Sequence, residues 1–107
     1  MMIEAVQIND IVNRIALNYN PDKIILFGSY AHGNYSDNSD LDFILVKETN
    51  TPKHKRGIEV RRLFYGLPIP MDFKIYTSSE FNTELSNQYS FLNSAIKGSK
   101  ILYERKD

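Results

Sequence analysis

The chain has 107 residues, 42% of them apolar, and its 13 Lys and Arg balance 13 Asp and Glu to a formal net charge of zero. That size suits one small domain, read as residues 1–107, and the absent net charge excludes a global basic field for nucleic acid. The lack of cysteine excludes a disulfide-stapled framework and fits a cytoplasmic setting; apolar runs of about five residues at most exclude a membrane-spanning helix.

In chain order, Ile8, Ile11, Val12, Ile15 and Tyr19 recur at helical spacing, predicting an amphipathic helix over 3–19 that Asn20-Pro21-Asp22 ends. Ile24-Ile25-Leu26-Phe27 and Phe43-Ile44-Leu45-Val46 are short, apolar and bounded by turn residues, as buried strands are. Between them, Ser29 to Gly33 reads as a short helix and Asn34 to Ser39 as a loop. Thr51-Pro52 resembles an N-cap with proline in the first helical position, predicting a helix to about Tyr65 with Ile58, Val60, Leu63 and Phe64 inward. This helix holds the one charge cluster: Lys53, His54, Lys55, Arg56, Arg61 and Arg62. A solvated face and a contact with a triphosphate or an acidic partner explain that cluster equally well. His32 and His54 lack metal-ligand spacing and read as surface residues.

Ile69 to Thr77 forms the third predicted strand, with Met71, Phe73 and Ile75 on one face and Asp72, Lys74 and Tyr76 on the other. Thr77-Ser78-Ser79-Glu80 has the pattern of a capping box opening a helix. A second helix follows from about Asn87, its apolar face Phe91, Leu92, Ala95 and Ile96, and Gly98 stops it. Lys100 to Glu104 is a last strand or an extended tail.

The chemistry concentrates where the first two strands meet the loop between them. Gly28-Ser29 ends the first; Asp40 and Asp42 open the second and project from one face, roughly 6–7 Å apart along the backbone. At ~6 Å and an effective dielectric of ~20, two carboxylates repel by about 3 kcal/mol. Exposure, protonation or a shared cation relieves that cost, and hard cations such as Mg²⁺ prefer carboxylate oxygens. Glycine allows close backbone approach, and serine adds a hydroxyl beside N–H groups, which suits a phosphate. Asp72 either pairs with Lys74 or the basic helix, or, if its strand lies beside the second, adds a third carboxylate.

Gly28-Ser29, ten residues, then Asp40-x-Asp42 resembles the signature of the DNA polymerase β-like nucleotidyltransferase superfamily. The string GSYAHGNYSDNSDLD, with LPIPMDFKIYTSSEF and GSKILYER, is similar to its minimal nucleotidyltransferase branch, although that branch commonly has arginine where this chain has His32. The resemblance implies an α/β (α+β) palm-like fold, a small mixed sheet with helices packed mainly on one side. It implies two Mg²⁺ ions on Asp40, Asp42 and Asp72, with Gly28 and Ser29 on the phosphates of ATP. It also implies transfer of AMP to a hydroxyl, expected to be a tyrosine of a HEPN-domain (higher eukaryote and prokaryote nucleotide-binding) toxin. The chain would then be that toxin's antitoxin and would associate with it, with no direct nucleic-acid contact. Two other classes remain: an antibiotic-type small-molecule nucleotidyltransferase, and a non-catalytic nucleotide-binding module.

Overall fold

The structure is a computed structural model that describes residues 2–106. Helix α1 (Ala5–Asn18) is followed by strand β1 (Lys23–Phe27), a single-turn helix α2 (Ser29–His32) and strand β2 (Leu41–Val46). A 3₁₀ turn (Lys53–Lys55) leads to α3 (Gly57–Arg62) and strand β3 (Met71–Tyr76); α4 (Ser78–Ser86), α5 (Phe91–Ile96) and β4 (Lys100–Glu104) complete the described elements.

The four strands form one mixed sheet in the order β3-β2-β1-β4. β1 runs antiparallel to both β2 and β4, whereas β2 and β3 are parallel, with Asp42 opposite Asp72. Strand alternation divides the core. Ile24 and Leu26 of β1, Leu41, Phe43 and Leu45 of β2, and Phe73 and Ile75 of β3 join Ile11, Val12 and Ile15 of α1 and Val60 of α3 in the larger cluster. The intervening residues Ile25, Phe27, Ile44, Val46 and Tyr76 face the other way. There they pack with Phe81 of α4 and Leu92 of α5 in a smaller cluster. Asp42 and Asp72 share the parity of the smaller cluster, at the end of the sheet where its apolar filling stops. Lys100 to Glu104, which sequence left between strand and tail, is an edge strand on β1.

The helix expected from Pro52 to about Tyr65 is broken at Gly57, the residue whose low helix propensity already leaves its continuity open. Pro52 itself precedes the 3₁₀ turn with an extended ψ of 141°, so Thr51 is not its cap, and the α-helix begins only at Gly57. At the break Arg56 turns inward to 7% exposure instead of joining a solvated face. Its Nε donates to the Thr51 carbonyl at 2.8 Å, and its Nη1 donates to the Ile75 carbonyl at 3.2 Å and to Glu80 Oε1 at 2.6 Å. Ile58, expected inward, is 49% exposed, while Val60 is fully buried. The capping box of α4 is present as expected, with the Thr77 side chain accepting from the Glu80 N–H and the Glu80 carboxylate accepting from the Thr77 N–H. Helix α5 starts at Phe91 behind a Ser90 cap, later than Asn87. Leu92 is buried as expected, but Phe91 is half exposed.

Candidate active site

The turn after β1 brings the site together. Gly28 has φ 77° and ψ −158°, a region open in practice to glycine alone, and from it α2 starts at Ser29. A Cβ at Gly28 would lie 2.5 Å from Asp42 Oδ2 and 3.3 Å from Asp42 Cγ. The glycine backbone is therefore packed against the aspartate carboxylate, and Phe27 and Asp42 are partners across the β1–β2 pair. Gly28, expected from sequence in the phosphate seat with Ser29, thus sits directly beside Asp42, and Ser29 opens α2 next to it. The strand parity that gives Asp42 its direction places Asp40 just ahead of β2, in the exposed loop end.

Asp42 is half buried, and its surroundings disfavour its charge. Burial chiefly, and then the neighbouring Asp72 and Asp40 carboxylates, push its pKa above the usual aspartate range; Lys74 pulls it partly back. Of the three acids predicted from sequence, Asp72 and Asp40 are thus each close enough to Asp42 to act on it. They are not yet gathered into one cage. Asp72 Oδ1 accepts from Arg61 Nη2 at 3.3 Å, and Asp72 Oδ2 lies 3.7 Å from Lys74 Nζ. Among the described residues no three His, Cys, Asp or Glu side chains are arranged to hold a metal ion. Both alternatives weighed for Asp72 are therefore present: it pairs with Lys74 and the basic helix, and it stands beside Asp42. In donor chemistry the site fits a hard divalent cation, because all three acids offer oxygen and Asp42 carries repulsion that a cation would relieve.

The sequence does not single out the two cations that hold Asp72, nor the ring beside one of them. Arg61 is one of six basic residues in its segment, and Lys74 is a partner of Asp72 by strand alternation alone. Phe91 was assigned to a core face; in the structure its ring meets Phe27 edge-on at 5.7 Å and lies 5.3 Å from the Lys74 ammonium. Beyond Asp72 a cleft of about 550 Å³ opens, lined by Lys53, His54, Ile58, Arg61, Lys74 and Phe91 among others. His54, expected to be a plain surface residue, thus borders a cleft. The His32 ring packs against Gly98, where a Cβ would come within 2.2 Å of it.

A glycine-turn strand end beside strand-borne aspartates on a small mixed sheet is the architecture of a nucleotidyltransferase. The family model described as Polymerase beta, Nucleotidyltransferase matches residues 9–107, and the chain belongs to that family. Two Methanocaldococcus jannaschii proteins, each provisionally named a protein adenylyltransferase, are similar to it. One is 40% identical over 72 residues, covering 62% of this chain and 73% of the relative; the other is 32% identical over 105 residues, covering 95% and 100%. Two solved structures share the fold. A protein from Sulfolobus solfataricus, provisionally assigned as a nucleotidyltransferase, aligns with TM-score 0.63 and 21% identity over 92% of this chain and 78% of its own. A toxin–antitoxin structure with AMP-PNP aligns with TM-score 0.58 and 20% identity over 92% and 73%. The chain is a transferase of nucleotidyl groups. Among the described residues, no helix is long and apolar enough to cross a membrane.

Proposed function

We propose that this chain moves AMP from ATP to a tyrosine hydroxyl of a HEPN-domain toxin and acts as that toxin's antitoxin. The observation that carries the reading is the register of the parallel pair, which sets Asp72 opposite Asp42 while the Gly28 backbone packs against the Asp42 carboxylate. The protein adenylyltransferase names of the relatives and the toxin–antitoxin neighbour support a protein acceptor.

Asp40 and Asp42 would hold both Mg²⁺ ions, and Asp72 would complete the set on the acceptor side. Bound there, the metal supplies charge neutralisation for the triphosphate and acidifies the acceptor hydroxyl. Gly28 and Ser29 seat the β- and γ-phosphates, for which the glycine conformation leaves backbone room. The acceptor oxygen bonds to the α-phosphorus as the bond from that phosphorus to the bridging oxygen breaks. Pyrophosphate leaves, and the hydroxyl proton passes to the Asp72 carboxylate. Asp72 must first let go of Arg61 and Lys74; both pairs are half exposed, a setting in which ion pairs are weak, on the order of 1 kcal/mol or less.

The test supplies ATP labelled at the α- or the γ-phosphate, Mg²⁺ and a HEPN-domain protein from the same genome. Label should pass to the protein from the α position only. Transfer from the γ position, or none from either, would refute the reading.

A further inference from the structure

The cleft beyond Asp72 lies on a line that crosses the sheet. Gly28 ends β1, Asp42 lies on β2 and Asp72 on β3, and β3 is the edge strand, so the cleft follows next. An in-line displacement keeps nucleophile and leaving group on opposite sides of the phosphorus. With the β- and γ-phosphates at Gly28, the entering hydroxyl comes from the β3 side, where the cleft opens. This step rests on the transfer reading above.

The lining says what kind of chain would enter. Phe73 and Ile75 border the cleft although their side chains are buried in the larger core, so what they present to it is the backbone of the sheet edge; Arg56 already holds the Ile75 carbonyl, so Phe73 is the position at which a segment would pair. An edge backbone pairs with an extended segment. Three cations stand over it: Lys53, 4.4 Å from the Tyr76 ring, Lys74 against Phe91, and Arg61. Against them stands Asp72, which Arg61 and Lys74 share. Ile58 and Phe91, each 49% exposed, add apolar walls. The cleft's volume of about 550 Å³ is in the range that encloses an aromatic side chain with its neighbours.

We infer that this cleft is the acceptor groove, and that it takes an extended, acidic segment of the acceptor protein along the β3 edge and delivers its hydroxyl to Asp72. The charges of the groove select the segment, and the apolar walls hold the ring that carries the hydroxyl.

A fluorescent random copolymer of glutamate and tyrosine serves as the probe, with a lysine–tyrosine copolymer as its opposite. Binding is read by anisotropy without ATP, and AMP transfer by KM for copolymer and for ATP separately. Lys53→Glu combined with Ile58→Asp should weaken glutamate–tyrosine binding at least about tenfold and raise its KM equally, with KM for ATP unchanged. Both residues are exposed and outside the transfer machinery; if the pair unfolds the protein, Lys53→Ala alone should still weaken binding severalfold. Failure of the wild type to bind the acidic copolymer, equal binding of the lysine copolymer, or unchanged binding in the folded variants would overturn the groove. A raised KM for ATP alone would assign the cleft to the nucleotide and overturn it as well. Copolymer binding through the cleft with no AMP transfer to any protein would instead leave it a docking groove for acidic segments and remove both the transfer reading and the delivery of a hydroxyl to Asp72.

Discussion

Burial first, and then the Asp72 and Asp40 carboxylates, disfavour the charge of Asp42, against whose carboxylate the Gly28 backbone packs. Asparagine there keeps the shape and removes the repulsion. Because the folded pKa is raised above the unfolded one, the protonated form is favoured by folding: Asp42 adds stability at low pH and loses it as pH rises past the ordinary aspartate range. Asp42→Asn should therefore match the wild type in acid and equal or exceed it near neutrality, without divalent cation, in urea unfolding followed across pH. A clear loss at neutral pH would mean that the Asp42 charge is structural. Gly28→Ala asks for a different outcome. It places a Cβ on the Asp42 carboxylate and forces a conformation that costs about 1–3 kcal/mol. Gly33→Ala is its control, with a similar positive φ of 82° but nothing within 4 Å. Both should lower the melting temperature, but only Gly28→Ala should cut AMP transfer by tenfold or more.

At the scale of elements, Arg56 and Glu80 join the segment before α3 to the start of α4. One glutamate serves twice, closing the α4 capping box and accepting both Arg56 nitrogens at 2.6 and 3.2 Å. Arg56, then the Thr77 N–H, hold its pKa down to about 2. A lowered folded pKa means stability present above the unfolded glutamate value and lost as pH falls toward about 2. Glu80→Gln should flatten that acid limb in denaturation curves between neutral and strongly acidic pH. Glu80→Ala should cost more than Arg56→Ala, about 3 kcal/mol, because it strands a buried guanidinium, whereas a half-exposed Glu80 can rehydrate. The reverse order would contradict this account of the link. The same pair explains what could be read from sequence. Thr77 and Glu80 lie three apart, and their box is a local pattern, as is the spacing of Ile11, Val12 and Ile15. Arg56 meets Glu80 24 residues away, and no helical periodicity between 52 and 65 reports a side chain that turns inward to bind it. Phe91 was misread for a similar reason: its apolar character is genuine, but Phe27 and Lys74 hold its ring at the rim of the site.

Across the whole molecule, one sheet separates structure from chemistry by parity. The larger core fills one face; the other is apolar under α4 and α5 and acidic where Asp42 and Asp72 stand opposite each other. Asp40, Asp42 and the Gly28-Ser29 turn were legible because they are near in sequence and flank two obvious strands. The place of Asp72 was legible only through the family resemblance, since the parallel β2–β3 pairing that brings it to Asp42 depends on a long crossover that local spacing does not report. The central claim is that this arrangement transfers AMP to a partner protein. Its most direct test is the intact mass of a HEPN-domain protein from the same genome after incubation with this chain, ATP and Mg²⁺. A tyrosine-linked gain of about 329 Da, the mass added when AMP replaces a proton in the displacement described above, or a multiple of it, is expected with the wild type and absent with Asp42→Asn. No gain with the wild type, or the same gain with Asp42→Asn, would contradict the account.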